Sequence, residues 1–168
     1  MDEQEIRRIV KEYSNMIKRI SYSYLEHSHD CEDICQTVFV KLLTYNISFN
    51  SKDYEKAWII RTTINACHDL RKSAFFKKTV GLDEIGDAYV SDTEPSAVLE
   101  EIGKLPGNYR AAIYLHYYEG YTTEEIADMM GKRKTAVSKY LTRGRKILKV
   151  SLADGYLQRD EEGEAYGK

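Results

Sequence analysis

Apolar residues recur at spacings of three and four along most of this chain, and only Pro95 and Pro106 interrupt it. This spacing places one apolar stripe along an α-helix, whereas the alternation typical of strands is sparse. The apolar pattern fades over residues 79–96, and 168 residues are enough for two small domains. The sequence therefore predicts an all-α protein with two small helical domains, residues 1–78 and 97–150, joined by a flexible acidic linker over 79–96.

The first domain is predicted to contain three helices, over residues 3–25 and about residues 31–45 and 54–72. Asp30 is the expected N-cap of the second helix, and residues 46–55 are rich in turn formers, which predicts a loop. The apolar faces of the three helices are expected to carry Ile6, Ile9, Val10, Tyr13, Ile17, Ile20 and Tyr24; Ile34, Cys35, Val38, Phe39, Leu42, Leu43 and Tyr45; and Trp58, Ile59, Thr62, Ala66 and Leu70.

The second domain is predicted to begin near Ala97 and to place Pro106 at the first position of a helix that ends near Gly120. Proline suits this position because the N–H that it lacks would have no partner within the helix. Residues 151–168, which end in DEEGEAYGK, predict a frayed tail.

A helix-turn-helix is predicted within this second domain. Thr122 and Glu125 have the spacing of a capping box, and Gly131 is expected to end the short helix that follows. A long basic helix is then predicted over about residues 134–150, and the order of these elements is that of a helix-turn-helix. Its predicted core side consists of Val137, Leu141, Gly144 and Leu148.

The net charge is only −2, but the charges are segregated along the chain. Residues 61–78 hold five basic residues and one acidic residue, residues 79–103 hold seven acidic and no basic residues, and residues 132–149 hold eight basic and no acidic residues. This pattern predicts two polyanion-binding surfaces joined by a solvated linker, although the last segment could also be the solvated face of an inert hairpin. The side chains expected to face outward are Lys134, Thr135, Ser138, Lys139, Thr142, Arg143 and Lys146, with the first of them at base edges and Arg133, Arg143 and Lys146 at phosphates.

The basic end of the third helix has two interpretations. Arg71 and Lys72 could bind nucleic acid, or they could simply favour the helix dipole. Phe75, Phe76 and Tyr54 are expected near these cations, where their rings could stack on unpaired bases. The alternative is that both phenylalanines belong to the core.

The cluster His27, His29, Cys31 and Cys35 is a weak candidate for a zinc site, because its spacing matches none of the common structural patterns. We expect no metal and no cofactor, and we expect these cysteines and Cys67 to be reduced thiols. No nucleophile-and-base pair, phosphate-binding glycine loop or paired carboxylates are evident, so the sequence predicts a protein that is not an enzyme.

No apolar run approaches the roughly 18 residues that would span a bilayer. The N-terminal segment MDEQEIRRIVKEYS is charged and carries no apolar secretory core. A cytoplasmic protein without membrane insertion is therefore expected.

Three segments resemble the extracytoplasmic-function sigma factors of bacterial RNA polymerase. DCEDICQTVFVKLL (30–43) is similar to part of their second conserved region, and KAWIIRTTINACHDLRK (56–72) is similar to the helix that melts and reads the minus-ten element. KLPGNYRAAIYLHYYEGYTTEEIADMMGKRKTAVSKYLTRGRKILK (104–149) resembles their fourth region, which includes the helix-turn-helix. The resemblance implies a factor that brings polymerase core to promoters for transcription initiation.

The resemblance also implies roles for particular residues. In residues 1–78, Asp33, Gln36, Phe39 and Val40 would dock on the polymerase clamp helices, and the loop at about 46–55 would capture a flipped minus-ten base. Residues 97–150 would read the minus-thirty-five element and contact the polymerase flap. The resemblance leaves open whether an anti-sigma protein binds the factor. The implied minus-ten contacts are Asn46, Ser48, Asn50, Lys52, Arg61, Asn65, Arg71 and Lys72.

Two departures from the family pattern concern the basic helix. Arg133, Thr135 and Ala136 stand where relatives often carry Ser or Pro followed by Gly-Thr, so the promoter sequence is not implied. Gly144 replaces the usual alanine, for close packing or to bend the helix. The alternatives to a sigma factor are an ordinary helix-turn-helix regulator that binds duplex operators without polymerase, and a metal- or thiol-dependent sensor or enzyme.

Overall fold

The computed structural model describes residues 1–25, 27–77 and 97–164, and within them the side chains of 1–25, 27–73 and 97–154. These ranges contain helices and no strand, which confirms the all-α prediction. The chain divides into two compact units, around residues 1–77 and around residues 97–164. Met129–Gly131 belong with the second unit, because they end a helix that begins there at Thr123. The predicted linker over 79–96 lies outside the described residues.

The first unit consists of three helices that pack against one another: α1 (Glu3–Leu25), α2 (Ser28–Thr44) and α3 (Lys52–Lys77). Residues 45–51 connect α2 to α3 without helical structure. The core between the helices is aliphatic, as amphipathic helices of this kind require. Its largest fully buried aliphatic side chains are Ile9, Ile17, Ile20, Val38, Leu42, Ile59, Ile60 and Ile64.

The start and the end of α2 differ from the prediction. The helix begins at Ser28 after the N-cap residue His27, whose side chain makes no capping hydrogen bond, so Asp30 is not the cap. Asp30 lies in the first turn, where a carboxylate still favours the helix dipole. Tyr45 was expected in the core, but it follows the last helical residue and its side chain is 66% exposed. Leu43 is exposed as well.

The buried face of α3 also differs from the predicted one. The predicted stripe through residues 58, 62, 66 and 70 advances four residues at each step, so it rotates about 40° around the helix per step and about 120° in all. Of the predicted residues, Ile59 and Ala66 are buried, whereas Trp58, Thr62 and Leu70 are only half-buried. The buried face also contains Ile60, Thr63, Ile64 and Cys67. On α1, Met16 is buried although it was not in the predicted face. Ile6 and Val10 were predicted to be buried, but Ile6 is half-buried and Val10 is exposed.

The second unit contains α4 (Ala97–Gly103), α5 (Gly107–Ile113), a π-helical segment (Tyr114–Tyr118), α6 (Thr123–Met130) and α7 (Lys134–Glu164). Helices α4 and α5 pack against each other and against α7.

Two boundaries in the second unit were predicted differently. Pro106 is the N-cap of α5 and not its first helical residue. The prediction that the last helix ends near Val150 is wrong, because α7 continues to Glu164. Residues 151–164 are thus helical and not a frayed tail, and residues 165–168 lie outside the described residues.

Gly144 lies in α7 where this helix meets α5. A Cβ atom built on Gly144 would lie 3.1 Å from Cγ1 of Ile113, closer than an ordinary van der Waals contact. The helix runs through this position without interruption. Of the two explanations for the glycine, the structure therefore favours close packing over a bend.

None of the described helices combines the length and the apolar character that a membrane span requires.

Candidate nucleic-acid interface

The turn that leads into the basic helix is held by local hydrogen bonds. The Thr122 N–H donates to Oε2 of Glu125 at 2.8 Å, and the Glu125 N–H donates back to Oγ1 of Thr122 at 3.3 Å, which confirms the predicted capping box. Gly131 has φ of +62°, and the Lys132 N–H donates to the carbonyl of Ala127 at 2.9 Å. This is the Schellman arrangement that ends a helix on a left-handed glycine. The geometry fixes where α7 begins.

Helix α7 has one buried face and one basic, exposed face. Val137 and Leu141 are buried and Gly144 packs on α5, while Leu148 is half-buried. At 100° per residue, Lys139 and Lys146 lie on the opposite side of the helix. Every predicted outward side chain is exposed: Arg133, Lys134, Thr135, Ser138, Lys139, Thr142, Arg143 and Lys146. Such a concentration of cations without an acid on the same segment favours binding of an anion.

One acidic side chain from α6 reaches this surface, and the sequence did not reveal it. The Lys134 ammonium forms an ion pair and a hydrogen bond with the carboxylate of Glu124, which lowers the pKa of Glu124. Both side chains are exposed, so the pair contributes little to stability. Its effect is to hold Lys134 beside the turn at the start of α7. Ten residues separate the partners, and no local pattern links them.

The loop over residues 45–51 in the first unit carries several of the implied minus-ten contacts. Asn46, which has a positive φ of 45°, Ser48 and Asn50 are exposed. Phe49 is half-buried, and its ring centroid lies 6.1 Å from that of Tyr54 and 5.8 Å from that of Trp58. The loop therefore packs on the first two turns of α3 through Phe49 and exposes its polar side chains.

Helix α3 continues this surface along one face. Arg61, Asn65 and Lys72 are exposed and fall within about 40° of one another around the helix, and Arg71 is exposed to one side of them. Tyr54 shares this face, but seventeen residues of helix place it about 26 Å from Arg71. The prediction that Tyr54 lies near the cations at the end of α3 is therefore wrong. The side chains of Phe75 and Phe76 lie outside the described residues.

Helix α2 exposes a different kind of face. Asp33 and Gln36 are exposed together with Val40, whose side chain is 59% accessible, and these three residues lie on the side opposite the buried Val38. Phe39 is half-buried at the edge of the core. The exposed Leu43 extends this face, and its mixture of polar and apolar side chains without a cation is typical of a docking surface, not of a phosphate-binding one.

Comparison with known proteins identifies the family. The profile described as "Sigma-70 region 2" matches residues 9–74 and the one described as "Sigma-70, region 4" matches residues 96–148, and together they cover more than half of the chain. The ECF RNA polymerase sigma factor SigW of Bacillus subtilis is 28% identical over 91% of either protein, and SigM of the same organism is 27% identical over 86% of this chain and 93% of SigM. The chain belongs to the extracytoplasmic-function sigma factors. It directs RNA polymerase to promoters for transcription initiation.

Solved structures support the same fold for this sigma factor. A complex described as sigma factor RpoE with the anti-sigma factor NepR, from Bartonella quintana, matches with a TM-score of 0.68 at 17% identity, over 89% of this chain and 98% of that one. The structure of CnrH in complex with the cytosolic domain of CnrY matches with a TM-score of 0.59 at 20% identity, over 91% and 90% of the two chains.

The cysteines of the sigma factor are buried thiols. Cys31, Cys35 and Cys67 form no disulfide, and burial raises the pKa of Cys35 and raises that of Cys67 to about 12. Burial therefore favours the protonated thiol at both positions near neutral pH. Within the described side chains, no group of three or more His, Cys, Asp or Glu residues is arranged to hold a metal ion.

Proposed function

We propose that the two units of this sigma factor divide the recognition of a promoter between them. Residues 1–78 bind the polymerase core and read the melted minus-ten element, and residues 97–150 read the minus-thirty-five element as duplex. The observation that carries the proposal is the exposed basic face of α7, which begins at a rigid capped turn and has the charge and position of a recognition helix.

In the second unit, the start of α7 supplies the side chains that read bases. Lys134, Ser138 and Lys139 are exposed in the first two turns, where the N-terminal residues of a recognition helix meet the major groove. Arg143 and Lys146 lie further along the same exposed side and contact phosphates, which fixes the register without reading sequence.

In the first unit, the loop over residues 45–51 captures an unpaired base of the non-template strand. Unstacking a base costs a few kcal/mol, which polar and aromatic groups in a pocket offset. Asn46, Ser48 and Asn50 supply exposed polar groups, and the exposed ring of Tyr54 beside Phe49 supplies a stacking surface. The backbone of the DNA strand binds along the exposed side of α3. The residues that bind it are Lys52, Arg61, Asn65 and Lys72, with Arg71 beside them.

The exposed face of α2 docks on the polymerase clamp helices. This face consists of Asp33, Gln36, Val40 and Leu43, with Phe39 at its edge. The second unit also contacts the polymerase flap. We further propose that the factor acts in the cytoplasm without catalysis of its own and that an anti-sigma protein is among its partners. The last point is supported by the complex of sigma factor RpoE with the anti-sigma factor NepR, because RpoE has the same fold as this chain.

Run-off transcription with purified polymerase core tests this division. Asp33→Ala with Gln36→Ala should abolish promoter-directed initiation and weaken binding to core, since truncating polar anchors at an interface centre can cost about 2 kcal/mol or more apiece. Helicity and melting should change little, because exposed substitutions usually alter stability by less than about 0.5 kcal/mol. Lys11→Ala with Asn15→Ala, which alters exposed residues of α1, is the matched control.

A second variant should separate the two units. Lys134→Ala, Ser138→Ala and Lys139→Ala together should spare polymerase binding and lose selective use of the upstream element. If the Asp33 and Gln36 variant initiates at the wild-type level, the α2 face is not the docking surface. A chain that binds a duplex operator tightly but never binds core polymerase would instead be an ordinary regulator.

A further inference from the structure

A buried carboxylate lies at the start of α3. Only 4% of the Glu55 side chain is exposed, although it occupies the first turn of a helix where acidic residues usually face water. Arg8 of α1 reaches it with two parallel hydrogen bonds, from Nη1 to Oε1 at 2.9 Å and from Nη2 to Oε2 at 2.8 Å. This bidentate geometry fixes orientation as well as distance, unlike a simple ion pair.

Neighbouring groups complete this arrangement. Nη1 of Arg8 also donates to Oε2 of Glu12 at 3.0 Å, and the Tyr13 hydroxyl donates to Glu55. Oε1 of Glu12 lies 3.5 Å from Nζ of Lys52, the first residue of α3. Two successive turns of α1 therefore hold the first turn of α3 by directional contacts.

The loop over residues 45–51 ends at this junction. The Ser51 hydroxyl accepts a hydrogen bond from the Tyr54 N–H at 3.2 Å, so Ser51 caps the helix whose first turn Arg8 holds. Phe49 packs on Tyr54 and Trp58 from the same two turns. The position of the loop is thus set by the position of the first turn of α3.

We propose that Arg8 and Glu55 are positioning residues that pre-organise the loop over residues 45–51 to receive an unpaired promoter base. The inference rests on the proposed function of that loop. The carboxylate of this ion pair is buried, whereas 37% of the Arg8 side chain is exposed. Removing a carboxylate from water offsets much of the attraction, so the pair adds little net stability, but its bidentate geometry specifies orientation. Without the pair, the loop must be ordered when the strand binds, and that ordering reduces affinity.

The experiment measures binding of single-stranded DNA to the holoenzyme. The strand is the non-template minus-ten segment of a promoter that supports run-off transcription with this factor, and it is used intact or with an abasic sugar at each position in turn. The variants are Glu55→Gln, which keeps the side-chain shape, Arg8→Met, and Arg8→Lys, which keeps the charge but loses the bidentate geometry. Arg7→Met is the matched control, because Arg7 pairs only with Glu3 on the exposed side of α1 among the ion pairs of the described residues.

The wild-type holoenzyme should lose at least about 10-fold in affinity at one abasic position. Glu55→Gln and Arg8→Met should bind the intact strand about 10-fold more weakly, a change of about 1.4 kcal/mol, and should lose little more at that abasic position. Arg8→Lys should be intermediate, and Arg7→Met should match the wild type. Binding to polymerase core should stay within about twofold in every case.

Each other outcome has a defined meaning. In Glu55→Gln and Arg8→Met, the difference in affinity between the intact and the abasic strand could stay as large as in the wild type. This result would overturn the positioning role, while base capture would stand. If the wild type itself shows no abasic position that matters, base capture by the loop fails, and the inference falls with it. If circular dichroism shows that both variants lose helicity, the pair is structural and the proposal is wrong.

Discussion

Replacing Gly144 with alanine should destabilise the second unit, although alanine is the better helix former. The new Cβ would lie 3.1 Å from Cγ1 and 3.4 Å from Cδ1 of Ile113, and 3.7 Å from Cβ of Tyr109. Ile113 is only 2% exposed, and its Cγ1 can move only by rotation about the first side-chain torsion or with the backbone. Overpacking a core in this way costs about 1–3 kcal/mol.

The gain in helix propensity from glycine to alanine is about 1 kcal/mol. With a packing cost of about 2 kcal/mol at Ile113, the net loss in the free energy of unfolding should be about 1 kcal/mol. The sign should reverse when the obstacle is removed. In the background of Ile113→Ala, the same Gly144→Ala change should stabilise the unit by about 1 kcal/mol, because only the propensity gain remains.

Hydrogen exchange followed by mass spectrometry on peptides from α5 and α7 measures these differences in the full-length protein. It reports the opening free energy of each segment and does not require the two units to unfold together. The four proteins of the cycle should give a coupling energy of about 2 kcal/mol. If Gly144→Ala alone stabilises α7 by about 1 kcal/mol, the close approach to Ile113 costs nothing and the reasoning is refuted.

Two further predictions concern salt and pH. Lys146→Ala should weaken duplex binding equally for all sequences and make the slope of log affinity against log salt shallower by about 0.9, because one phosphate contact is lost; an unchanged slope would show that Lys146 meets no phosphate. Hydrogen bonding from Arg8 holds the pKa of Glu55 below its ordinary value of 4.5. The ionised carboxylate therefore stabilises the first unit above pH 4.5, and this contribution is lost as the pH falls from 4.5 through the lowered pKa. The emission of Trp58, the single tryptophan of the chain, can monitor unfolding. Below about pH 4.5 the free energy of unfolding should fall more steeply in the wild type than in Glu55→Gln. Parallel curves of unfolding free energy against pH would show that the pKa of Glu55 is not lowered by folding.

The sequence determined the features that depend on neighbours along the chain. The limits of α1, the capping box at Thr122 and Glu125 and the glycine stop at Gly131 were all predicted, because each depends on contacts within about one helical turn. The same locality made the exposed set on α7 readable, since the buried positions at Val137 and Leu141 fix which side faces water. The family resemblance drew on these local patterns.

The tertiary structure decided what depends on partners that are distant in sequence. Residues 8 and 55 meet only because α1 packs on α3, so the burial of Glu55 could not be inferred from a first-turn glutamate. The face of α3 was misjudged for the same reason, since α1 and α2 together select which side is covered. The reason for Gly144 became visible only through its distance to Ile113, thirty-one residues earlier in the chain. Local spacing sets which helices form, but the contacts between helices determine which side chains are buried, paired or crowded.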